Sequence, residues 1–309
     1  MTTSRFLILA LLSAAMAMAQ SSNPPAGTQG TGPQVGGESA NQPPAAPQAS
    51  NTNPKAKRPP SAKTKQEYEQ YLAAANNPDP AAAEGLGREF EVQFPKSELL
   101  PLLYQQVMTK YQKADNGDKT IEMGRKVLQY DPDNAVALVM NATVLAERTR
   151  PSDIDRDQRL NEATTDAQRA LEDIRSGNYM LTPNATPEQV QQFKDQVSGM
   201  AYSALGTAEL VRSNYAAAEQ NLRKATENPV AKSDAIVWYR LALALDHQNK
   251  YPEANAAVAT AVTLAPEGSP VANLAKAEQS RLKQLTAGNA PASSAPKGNQ
   301  PEPVVVQPK

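Results

Sequence analysis

The side chains best suited to chemistry in this chain are an acid run, Asp153-x-Asp155-x-Asp157, and the single histidine, His247. Aspartates at every second position open a calcium loop, where their oxygens close on one hard cation. The rest of such a loop is missing, because Gln158 stands where a glycine should make the turn and Thr164 where a bidentate glutamate should be. A helix start explains the same residues, with Ser152 as N-cap, Asp155 three residues on, and acids in the first turn facing the positive helix end. His247 has no second imidazole with which to share a metal, and Asp246 points about 100° away from it on a helix, too far round to orient the ring. No G-x-S-x-G or H-E-x-x-H occurs, and without cysteine the chain has no disulfide, thiolate metal site or thiol nucleophile. Gly27-x-x-Gly30-x-Gly32 lacks the Gly-Lys-Ser/Thr that completes a phosphate loop. Acid pairs such as Asp155 and Asp157 are open to a hydrolase, but nothing singles them out, so the chain is expected to be no enzyme and to need no metal or cofactor.

These residues sit among helices of one recurring form. In Trp238-x-x-Leu241-Ala242-x-x-Leu245 the apolar residues fall three and four apart and share one helix face. Ala254, Val258, Ala261 and Val262 form an answering stripe, and Pro266 stops it. Small residues such as Ala242 and Ala254 let two helix backbones approach where a leucine would hold them apart. The same slots recur upstream at a spacing near 34 residues. Segment 199–234 has Tyr202, Leu205-Gly206, Ala218, Leu222, Ala225 and Pro229. Segment 101–134 has Tyr104, Val107-Met108, Tyr111, Val127 and Asp131-Pro132-Asp133-Asn134. Between them, Leu138, Ala142 and Leu145 are answered by Ala163, Ala167 and Ala170, and at the front Tyr68, Tyr71-Leu72, Ala83, Phe90 and Pro95 form a degenerate unit.

This pattern resembles the tetratricopeptide repeat, W-x-x-L-G-x-x-Y followed by A-x-x-x-F, A and P, over roughly residues 64–285. The resemblance implies an all-α fold, an α-solenoid of antiparallel helix hairpins in about four to five units with a capping helix. It also implies that the first helices line a concave wall, with partner-facing residues between the buried ones. Those are Gln105, Thr109 and Gln112; Val139, Thr143 and Ala146; Ser203, Thr207 and Leu210; Tyr239, Leu243 and Asp246. Family members that clamp a terminal carboxylate present lysine and asparagine at such places, which Tyr239 and Leu243 do not match. An extended or helical peptide held by apolar contacts fits better. The expected function is an exported scaffold or adaptor for a protein or peptide partner. A cell-envelope assembly factor or spacer is the alternative, and a hydrolase with paired acids near the 148–160 insertion the third reading.

Composition sets the boundaries. Residues 1–19 carry Arg5, an apolar stretch from Phe6 and Ala17-Met18-Ala19, which read as a secretory signal, so the protein is expected in the periplasm, cell envelope or medium. The apolar run is short for a membrane span of ~20 residues, and no later segment is apolar enough, so no stable membrane insertion is expected after cleavage. Residues 20–63, rich in Pro, Gly, Ala and Gln, cannot bury a core and form a disordered tether; residues 286–309 form a similar tail. The net charge is −1 overall, with +1 in the signal, +3 in the tether and +1 in the tail, which leaves −6 on the repeats and argues against nucleic acid. The basic stretch from Lys55 to Lys65 reads as a solvated boundary.

Punctuation places individual helices. Thr186-Pro187-Glu188-Gln189 is an N-cap, a first-turn proline and a capping-box glutamine, so a long helix should run from there to about Arg212. Ser269-Pro270 should begin a last helix through Leu285, with Val271, Leu274, Leu282 and Leu285 inward and Glu278 and Arg281 largely outward. Two excess segments, 148–160 and 176–186, interrupt the regular spacing, and Asn141 occupies a slot that is Val107, Leu205 or Leu241 in the sister units. A buried amide there needs a partner.

Overall fold

The computed structural model describes residues 57–180 and 185–288. The expected signal, the Gly27–Gly32 run with most of the tether, and most of the tail lie outside the described residues. Among those described there are eleven α-helices and no strand. They are α1 (Lys65–Ala75), α2 (Pro80–Gln93), α3 (Leu100–Lys113), α4 (Gly117–Tyr130), α5 (Ala135–Arg148), α6 (Arg156–Ser176), α7 (Pro187–Val211), α8 (Tyr215–Glu227), α9 (Ala235–Asp246), α10 (Tyr251–Leu264) and α11 (Pro270–Gly288). Each odd helix through α9 packs on the even one after it, giving five hairpins, and α11 packs on α10 and α9 as the cap. The architecture is a tetratricopeptide-like solenoid.

Local chemistry sets the helix ends. Thr64, Asp79, Asn116, Asn134, Thr186 and Asp234 each accept a first-turn backbone N–H with their side chains, pairing donors that the helix leaves over. At Thr186 both bonds of the capping box form with Gln189, and the helix it opens ends at Val211, one residue before the expected limit. Three hairpins turn in the same way. Asp115, Ser213 and Asn249 take left-handed backbone (φ 54, 61 and 60°), and the next amide reaches back to the carbonyl of Tyr111, Glu209 or Leu245. That is the Schellman closure, repeated at equivalent positions.

The third hairpin departs from this turn, because residues 149–155 replace it. Helix α6 begins at Arg156, with Asp155 at the cap position but no side-chain cap bond, so the expected cap at Ser152 is corrected. The Asp153 carboxylate instead accepts the Arg150 N–H at 2.8 Å and holds the loop in a turn after Pro151.

Three apolar clusters run along the stack. The middle and last are built from the expected stripes: Leu138, Ala142 and Leu145 meet Ala163, Ala167 and Ala170, while Leu241, Ala242 and Leu245 share a cluster with Ala254, Val258 and Ala261. Trp238 is only half-buried, and its indole N–H donates to the Lys232 carbonyl at 2.8 Å instead of being sealed between helices. Gly206 is a true close approach, since a Cβ there would lie 2.5 Å from Cγ of Leu222.

The first cluster is different in kind. Glu84 and Glu91 on α2, Tyr104 and Tyr111 on α3, and Lys119 and Lys126 on α4 are pairs seven residues apart, and they meet in two layers. In one, Tyr111 donates to Glu84 at 2.5 Å and Lys119 at 3.0 Å; in the other, Tyr104 donates to Glu91 at 2.5 Å and Lys126 at 2.7 Å. Tyr130 also donates to Glu91 and stacks on Tyr104. Burial pushes both carboxyls up, but the tyrosine hydroxyls and lysines outweigh it and hold them below the ordinary glutamate value.

Candidate partner-binding surface

The odd helices form the inner side of the stack. Helix α1 packs on α3, α5 on α7, α7 on α9 and α9 on α11, whereas the even helices pack mainly on their hairpin partner and the next odd helix. The packing is most extensive between α5 and α7, while α3 and α5 meet through Val107, Met108, Ala137 and Met140 of one apolar cluster. Elements that touch more on one side than on the other curve toward that side, so this packing is what a concave wall of odd helices would require.

The structure divides the expected wall residues. Gln105, Thr109, Val139 and Thr207 are buried, as is Ala146. Thr109, Thr143 and Thr207 donate their hydroxyls to the carbonyls of Gln105, Val139 and Ser203 one turn back, which satisfies them internally. Gln112, Thr143, Ser203, Leu210, Tyr239 and Leu243 keep accessible surface. Asp246 is paired with Arg281 of the capping helix at 2.5 Å, and Arg281 also holds Glu278. Glu278 is therefore buried, with Ala272, Ala275 and Leu282, and the expectation that it faces outward is corrected. The cause is the acid on α9: Arg281 bridges Asp246 and Glu278, so the two carboxylates approach the α9–α11 contact through a shared cation. Burial, with Glu278 nearby, pushes the Tyr239 hydroxyl up to about 12, so it is a neutral donor at any working pH.

One wall contact had no sequence signal. Arg240 on α9 reaches Glu147 on α5 at 3.2 Å, across the position of α7, so an ion pair joins the third and fifth hairpins. The partners are 93 residues apart, and the stacking of the hairpins brings them together.

The acids of the insertion do not converge. Asp153 binds a backbone N–H, Asp155 lies 3.9 Å from Arg159 and Asp157 is paired with Arg156 at 2.8 Å. Among the described residues no group of three or more His, Asp or Glu is placed to hold a metal. His247 is exposed and stacks on Tyr215 at 4.2 Å. Asn141, by contrast, is fully buried; it stands against Gly124, where a Cβ would lie 2.0 Å from its oxygen, and its amide faces the Asp166 carboxyl, the one polar group that favours it there, without a well-formed hydrogen bond.

No protein-family model matches the chain, and no curated protein matches it. Solved structures do. The Pseudomonas aeruginosa protein PilF is 16% identical with a TM-score of 0.47, covering 73% of this chain and 96% of its own. Acl4, an assembly chaperone of RpL4, is 12% identical with a TM-score of 0.48, covering 74% of this chain and 91% of its own. At these scores they set no partner or activity here, and the fold rests on the hairpin order above.

Proposed function

We propose that the chain is a non-enzymatic scaffold that holds a peptide or protein partner along the concave wall of odd helices, in the periplasm or cell envelope. The observation that supports this most directly is the character of the accessible wall. On α5, α7 and α9, Thr143, Ser203, Leu210, Tyr239 and Leu243 are neutral, and the charged residues beside them, Glu147 with Arg240 and Asp246 with Arg281, are paired with one another; Gln112 is neutral too, but lies on α3 beside Lys110 and Lys113. A wall of that kind offers apolar area and hydrogen bonds rather than net charge, which suits an extended or helical segment with apolar anchors. Tyr239 is the natural anchor, because an aromatic ring adds large contact area at low conformational cost. The exported setting rests on the character of residues 1–19.

The test is capture from the cell envelope by cross-linking with wild type and with Tyr239→Glu plus Leu243→Glu. Loss of a partner that the wild type recovers, with the circular dichroism melt retained, supports the wall. Equal recovery by both proteins removes it.

A further inference from the structure

A cluster of acids lies where the α4–α5 turn meets the end of α6. The turn between α4 and α5 supplies Asp131 and Asp133, and the end of α6 supplies Asp173 and Asn178. The Asn178 amide donates to Asp133 at 3.1 Å and to Asp173 at 3.2 Å, drawing the two carboxylates into one corner. Arg169 donates to the Pro132 carbonyl at 2.5 Å and to Asp133 at 3.3 Å. Asp173 is only 7% exposed, and its second oxygen has no hydrogen-bond partner. Three carboxylates against one guanidinium leave this corner short of positive charge.

Lys57 supplies it. Its ammonium lies 2.6 Å from Asp131 and 3.4 Å from the Asp133 carbonyl. Lys57 arrives on a chain that carries no regular structure: Arg58 pairs with Glu98 at 2.5 Å, Ser61 N–H donates to the same carboxylate, and Ala62 packs on the first apolar cluster. Pro59-Pro60 keep this stretch extended, so it reaches from the first hairpin to the third along the turns that join the units. Within the basic stretch Lys57 is thus docked, while Arg58, Lys63 and Lys65 keep the exposure of a solvated boundary. An acid cluster alone would be unremarkable; here it has a buried, unpartnered oxygen and a cation already seated in it.

We propose that this corner is a recognition site for a lysine in an extended, proline-stiffened basic segment, and that residues 57–63 occupy it in cis. A competing basic segment must displace a ligand held at the high effective concentration that a short tether gives. The site is therefore guarded rather than open, and anything that pulls the upstream chain away uncovers it.

Two measurements on the full chain decide the matter. A carbodiimide, which joins an ammonium to a carboxylate in direct contact, should link Lys57 to Asp131 in wild type, with Lys126–Glu91 as the internal control at a similar 2.7 Å. A fluorescent, acetylated peptide of residues 53–64 should bind Lys57→Glu plus Arg58→Glu at least ~10-fold more tightly than it binds wild type, and Asp131→Asn in that background should abolish the binding. Neither strap residue lies in a helix, so the melt checks that the fold is intact. A missing Lys57 link where the control link forms overturns cis docking. Peptide binding that is equal for the two proteins, or absent from both, overturns the recognition site. Neither outcome bears on the concave wall.

Discussion

The first two hairpins and the last two solve one packing problem with opposite materials. At the front, Tyr71, Phe90, Leu100, Leu103, Tyr104, Met108 and Tyr111 fill the space between helices, and a double Glu–Tyr–Lys seam ties three of those helices together. At the back, Ala218, Ala225, Ala242, Ala244, Ala254, Ala257 and Ala261 draw the backbones close around Leu222, Leu245 and Val258. Large side chains hold helices apart and need polar fasteners to set their angle; small ones set the angle by contact of the backbones. The hairpin is thus a geometry that either filling can satisfy.

The largest expected effect falls at the front. Phe90→Ala empties a fully buried ring site and should cost about 4 kcal/mol. In a solenoid each unit leans mainly on its neighbours. Hydrogen exchange should therefore speed up over α1–α4 and leave α9 and α10 protected; uniform loss along the chain would mean that the two regions are one cooperative body.

Next in size is a gain at the junction between the regions. Burial, with Glu162 adding to it, pushes the Asp166 carboxyl up to about 6, against Asn141 and the guanidinium groups of Arg169 and Arg125. A carboxyl raised on folding adds stability that is complete below its unfolded value near 4 and lost as pH rises through about 6. Asp166→Asn should remove that loss, adding roughly 2 kcal/mol at pH 7 and nothing near pH 4, read as melting temperature against pH. The front seam has the opposite sign. Glu84 and Glu91 are held low, so their contribution is present above about pH 4.5 and disappears as acid protonates them; the front should unravel first on acidification.

A smaller effect belongs to the back. Gly206→Ala should cost about 1–2 kcal/mol, because the added methyl meets Leu222 at its branch point and not at a free end. Leu222→Ala should turn that cost into a gain by providing the room, a reversal that a double-mutant cycle reads directly. Smallest of all, Glu147→Gln should shift stability by less than about 1 kcal/mol, as partly exposed ion pairs do.

The same contrast explains what the sequence disclosed. The back hairpins announce themselves because alternating large and small residues are a pattern along one helix, as in Leu205-Gly206 and Leu241-Ala242. Capping was legible for the same reason, since Thr186 and Gln189 lie three residues apart and their bond is local. The seam is written across three helices, and only the matching seven-residue intervals of Glu84/Glu91, Tyr104/Tyr111 and Lys119/Lys126 hinted at it. Asp246 read as a wall residue and Glu278 as solvent-facing because the pairing through Arg281 joins two helices that no spacing rule relates. Asn141 did stand out, as the one amide in an apolar slot, and the polar neighbour that the slot lacked along its own helix is Asp166 on α6.

The doubled seam has a mechanical consequence. One rivet lets two plates swivel about it, while two set along the same line hold their angle. The fasteners at Glu84 and Glu91 sit about 10 Å apart on α2, two full turns of helix. Flexing should then be easiest beyond the riveted portion, where α3 meets α5 mainly through Val107, Met108, Ala137 and Met140 of the shared cluster.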